Sequence, residues 1–138
     1  MKSLNNHKYI LIIALMLIIV VGAITVSNPT LQVTNQELTS SKLTEPIRIL
    51  QLTDLHNAEF GVNNTKLIAK CEEQHPDIIL MTGDLINMNE PDTDVATDLI
   101  AALTEIAPVY VSLGNHEIAN QENFGTDCRS IFEEAGAF

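Results

Sequence analysis

Basic residues are scarce in this chain: seven Lys and Arg stand against 18 Asp and Glu, for a net charge of −11. Setting aside Lys2 and Lys8 leaves five cations, and a balance of −13, from residue 31 onward. Such a surface repels nucleic-acid backbones and anionic headgroups, so nucleic acid is not an expected partner. No Gly-x-Gly-x-x-Gly and no Gly-Lys-Ser/Thr run occurs, which removes nucleotide binding of the glycine-loop kind. There are only two cysteines, Cys71 and Cys128. Both fall on helical patterns and read as buried free thiols, with a disulfide between them as the alternative. Neither follows the apolar N-terminal run closely enough to accept a lipid. Repeats and low-complexity tracts are also lacking. Histidines number four, His7, His56, His75 and His116, and none follows His116.

What is present begins with one long apolar stretch. Residues 10–21 are unbroken apolar, and the character continues to Val26. At ~1.5 Å per residue, residues 9–26 extend ~27 Å as a helix, close to a bilayer core of ~30 Å. Lys2 and Lys8 precede the run and no cation follows until Lys42, which favours an inside N-terminus. The expected organisation is a cytoplasmic segment at 1–8 and a transmembrane signal-anchor at 9–26. The chain would then be a single-pass protein of the cell membrane with its C-terminal domain outside the cytoplasm. A signal peptide cleaved near Val21-Gly22-Ala23 is the alternative. A buried core helix fits poorly, because a run without a polar face would need wrapping on all sides. Residues 27–46, rich in Ser, Thr, Asn and Gln with Pro29 and Pro46, read as a linker.

From residue 47 the pattern is regular. Short apolar runs at 47–52, 77–81 and 109–113 read as strands of a sheet covered on both faces. Helical patterns lie between and after them. Residues 65–73 align Leu67, Ile68 and Cys71, with Asn63 or Asn64 as N-cap. Residues 93–106 align Val95, Leu99, Leu103 and Ile106, with Asp92, Asp94 and Asp98 in the first turns, where the helix dipole favours anions. Residues 127–135 align Cys128, Ile131, Phe132 and Ala135, and Gly136 is a stop. This alternation predicts an α/β domain with a parallel or mixed sheet over 47–138. A fourth strand is expected directly after Gly136, so the region reads as a truncated domain.

Three motifs fall at the carboxyl ends of the three strands, where ligands gather in open α/β sheets. Asp54 and His56 are two residues apart, so on an extended strand tip they would share a face and reach one ion. Asp84 follows Gly83, and Asn115 and His116 follow Gly114; each glycine permits a sharp turn. Singly, each motif is an ordinary cap or turn. Their convergence on three independent strand ends is the informative feature. An aspartyl-phosphate mechanism is disfavoured because His56 stands where a second Asp is needed.

The order Asp54-x-His56, Gly83-Asp84, Gly114-Asn115-His116-Glu117 resembles the calcineurin-like metallophosphoesterase superfamily, in particular its membrane-anchored bacterial phosphodiesterases. The resemblance covers residues 47–138 and implies the N-terminal half of a β-sandwich flanked by helices. It further implies two divalent metal ions, Mn, Fe, Zn or similar, and phosphate-ester hydrolysis by a hydroxide activated between them. By the resemblance, Asp54 and His56 ligate one metal, Asp84 bridges both, and Asn115 ligates the second. His116 acts on the scissile phosphate as the catalytic group and is not a ligand. Glu117 stands where the family carries Asp or Glu and receives no role. The family completes its site with downstream histidines, including a Gly-His-x-His run, which these 138 residues lack. The expected function is therefore a metal-dependent phosphodiesterase present as an incomplete fragment. The alternative is an inactive membrane-tethered remnant with weak single-metal binding. A phosphate-ester substrate is implied, with a lipid-linked one suggested by the membrane segment.

Overall fold

A computed structural model describes residues 31–138 and, in the N-terminal segment, Tyr9, Ile12, Ile13 and Met16. The chain divides into two units, Met1–Asn35 and Gln36–Phe138. In the first, those four residues are helical and exposed. The rest of the span expected over 9–26 lies outside the described residues. Among the described residues no helix is long and apolar enough to cross a membrane.

In the second unit, residues 36–48 form no helix or strand and are exposed. The ordered elements are then β1 (Ile49–Leu52), a 3-10 turn (Val62–Asn64), α1 (Thr65–Glu72), β2 (Ile78–Met81), α2 (Asp94–Thr104), β3 (Val109–Val111), α3 (Asn115–Phe124) and α4 (Cys128–Glu134). The strands form one parallel sheet in the order β1-β2-β3, with Ile49 opposite Ile78 and Ile79 opposite Val109. Parallel neighbours need a crossover, and α1 and α2 lie in the two connections.

Among the described residues the sheet is covered on one face, where cover on both was expected. Ile79, Met81 and Val109 are fully buried, whereas Ile49 and Tyr110, on the other face, are 55% and 45% exposed. The apolar runs were too short to separate a half-buried edge strand from a fully covered one. Beneath the covered face lie Leu67 and Cys71 of α1, Leu99, Ile100 and Leu103 of α2, and Cys128 and Phe132 of α4. The stripe on α2 is rotated from the expected one: Ala96 and Ile100 are buried, while Val95 and Ile106 flank it. Asn64 precedes α1 as expected, but in a left-handed conformation (φ 57°) with no side-chain cap. Its Oδ1 instead accepts from Phe60 N–H at 2.9 Å. Asp127 does cap α4, accepting from Ser130 N–H at 3.2 Å.

Past Gly136, Phe138 pairs with the free edge of β3. Its N–H donates to Val109 O at 2.9 Å and its carbonyl accepts from Val111 N–H at 3.0 Å, the pattern of a parallel bridge.

Candidate metal centre

The loops that leave β1 and β2 continue to pair after the strands end. Thr82 N–H donates to Leu52 O, Asp54 N–H to Gly83 O, His56 N–H to Asp84 O and Asn57 N–H to Leu85 O, at 2.9–3.2 Å. The backbone nevertheless departs from a strand. Asp54, His56, Asn57 and Asp84 all have positive φ, at 57°, 48°, 59° and 54°. A left-handed residue with a Cβ costs ~1–2 kcal/mol, less for Asp and Asn. Concentration of such residues in two touching loops is the pattern of a functional site.

This geometry corrects the extended tip expected for Asp54 and His56, since alternate left-handed turns replace it. The two side chains still approach, with His56 Nε2 3.9 Å from Asp54 Oδ1. Thr53 Oγ1 donates to the other Asp54 oxygen at 2.7 Å.

The loops after β2 and β3 meet backbone to backbone. A Cβ on Gly83 would lie 2.5 Å from Gly114 N, and one on Gly114 would lie 2.6 Å from Asp84 N. Both glycines are therefore required by space, and Gly83 also by its φ of 89°. Glu117 closes the junction. Its fully buried carboxylate accepts from Asp84 N–H (2.9 Å), Leu85 N–H (2.7 Å), Ile86 N–H (3.2 Å) and Gly114 N–H (2.8 Å). One anion thus gathers amides from two loops, and such charge-assisted bonds are the strong kind.

Glu117 belongs to α3, a helix absent from the sequence expectation. Gly114, extended at φ −97°, stands at its N-cap, and Glu117 three residues later returns to the Gly114 amide. That spacing was the available signal. Periodicity gave none, because the buried residues of α3 are the polar Glu117 and Asn120.

The first turn of α3 delivers His116 to the junction. Its N–H donates to Asp84 Oδ1 at 2.9 Å. Its ring lies 4.2 Å from that of His56 between centroids, with the two Nδ1 atoms 3.2 Å apart. Ligand atoms of His56, Asp84 and His116 lie within 4.8 Å of one another. Two imidazoles and a carboxylate, with Asp54 beside them, are a donor set suited to a first-row divalent ion, so these residues fit a metal. His116 stands inside this cluster, although the resemblance gave it no ligand role. Asn115, exposed, is the first residue of α3 between Gly114 and His116. His75 is exposed and precedes β2, at the opposite end of the strand from the cluster.

The family model for calcineurin-like phosphoesterases matches residues 47–138, two-thirds of the chain. This chain belongs to that family. It is similar to an uncharacterized metallophosphoesterase of Campylobacter jejuni, 28% identical over 108 residues, which are 77% of this chain and 29% of the relative. It is also similar to an uncharacterized metallophosphoesterase of Bacillus subtilis, 29% identical over 93 residues, which are 65% of this chain and 34% of the relative. The chain thus spans about a third of the length of these curated relatives. No solved structure matches it significantly.

Proposed function

We propose that residues 47–138 carry the first half of a phosphodiesterase centre, in which Asp54, His56, Asp84 and Asn115 hold divalent metal and His116 is the catalytic group. Membership of a phosphoesterase family supports hydrolysis of a phosphate ester. The single observation carrying the reading is the packing of His56, Asp84 and His116 within 4.8 Å, at the ends of three adjacent strands. Bound divalent ions supply electrophilic charge at the phosphate and make water a competent nucleophile near neutral pH.

The chain's own residues do the rest. Asp54 and His56 offer an oxygen and a nitrogen from one loop. Asp84 offers Oδ2 while its Oδ1 accepts the His116 amide, which holds the carboxylate in one orientation. Glu117 keeps the two loops in register. His116 faces the oxygen that leaves phosphorus, to protonate it or to stabilise the charge that develops there. A lipid-linked or envelope phosphate ester is the substrate class favoured by the apolar segment at 9–26, with that segment as a membrane anchor.

A second reading has its own observation. Among the described residues the cluster offers one ion's worth of ligand atoms. It describes a tethered domain that binds one metal without turnover. Assay of a generic aryl phosphodiester with Mn separates the two. Mn-stimulated cleavage that falls ~10²–10⁴-fold in His116→Ala, with metal still bound, is the result expected for the enzyme. Absence of any Mn-stimulated cleavage favours the tethered domain, and loss of metal in His116→Ala contradicts the role given to that residue.

A further inference from the structure

One turn along α3 from His116, on the same face of the helix, Asn120 is fully buried. Its Nδ2 donates to Asn87 O at 2.9 Å and to Glu90 O at 2.6 Å. Its Oδ1 is buried with no partner among the described residues. An unpaired buried acceptor is destabilising. Asn120 is thus a poor core filler, and its contribution lies in the two bonds that grip the 87–90 backbone. Asn57, next to His56, grips the adjoining chain through Asp92 O at 3.2 Å.

The bonds from Asn120 bracket Met88, whose N–H meets His116 Nδ1 at 3.3 Å. A backbone amide only donates, so His116 Nδ1 bears a lone pair and the neutral ring carries its proton on Nε2. The 3.2 Å contact between the two Nδ1 atoms then fits His56 donating from Nδ1, with the single His116 lone pair shared between that donor and the Met88 amide. That leaves the His56 lone pair on Nε2, the atom 3.9 Å from Asp54 Oδ1.

We propose that Asn120 is a positioning residue, which seats the 87–90 loop so that the Met88 amide locks His116 and His56 in opposite tautomers. His116 is thereby held with an N–H donor on Nε2, able to hydrogen-bond charge developing on a phosphate oxygen, and His56 with Nε2 open to metal. The use of these tautomers rests on the phosphodiesterase reading; their existence rests only on the hydrogen bonds.

Imidazole nitrogen NMR of the full, metal-free chain tests it, with histidine isotope-labelled and signals assigned through His56→Gln and His116→Gln. At pH ~8 the wild-type rings should show His116 with its N–H on Nε2 and His56 with its N–H on Nδ1. In Asn120→Leu and Asn120→Ser, the other tautomer of each ring should rise from undetectable to a major fraction. The wild-type spectrum decides the tautomers whether or not a variant folds. The same tautomer on both rings, or an unchanged spectrum in a folded Asn120 variant, overturns the proposal. Opposite tautomers that respond to Asn120, in a chain that never cleaves an aryl phosphodiester, support it while refuting the proposed function.

Discussion

Glu117 does more at this site than any residue assigned a role from the sequence. Its carboxylate satisfies the amides of Asp84, Leu85, Ile86 and Gly114, and no water reaches it. Hydrogen bonds to a charged partner contribute ~1.5–3 kcal/mol each, and a stranded buried donor costs a similar amount. Glu117→Gln replaces one acceptor oxygen with a donor that faces other donors. It should lower unfolding free energy by ~2–4 kcal/mol, read from the shift of a urea midpoint, and weaken Mn binding in parallel. A midpoint unchanged from wild type would remove Glu117 from this role. The sequence could mark Glu117 only by its spacing from Gly114. Three of its amide partners lie more than 30 positions away, beyond any local pattern. The left-handed turns at Asp54, His56 and Asp84 were equally unreadable, because the same residue types end strands in ordinary extended form.

Among the elements, three strands and three of the four helices of the domain were legible from apolar spacing. α3 was not, because its buried side chains are polar and its contacts are with loops. The helices α1 and α4 each bury one thiol, and both cysteines are free, as expected. Burial pushes the Cys71 thiol from its ordinary 9.0 up to about 11. Cys128 rises likewise to about 11, through burial first and then the nearby charges of Glu117 and Asp127. Between pH ~9 and ~11 the unfolded chain has lost these protons and the folded chain retains them. Unfolding is therefore favoured as pH rises, by up to ~1.4 kcal/mol per pH unit per thiol. The thiol contribution is fully present below pH ~9 and lost as pH passes about 11. Denaturant midpoints measured from pH 8 to 11 should fall less steeply in Cys71→Ala/Cys128→Ala than in wild type. Equal slopes would show that neither thiol is shielded.

At the scale of the molecule, the sheet gathers residues far apart in sequence. His56, Asp84 and His116 become neighbours because three parallel strands lie side by side and end together. Each motif directly follows an apolar strand in the sequence, which is why the three pointed to one centre. Binding of Mn to the full chain, followed by electron paramagnetic resonance, tests the centre most directly. Wild type should take up Mn with a bound-state spectrum, and Asp84→Ala, which removes the carboxylate beside both His56 and His116, should weaken uptake at least ~10-fold at unchanged fold. Mn binding that is absent in wild type, or equally tight in a folded Asp84→Ala, would contradict the assignment of these strand ends as a metal centre.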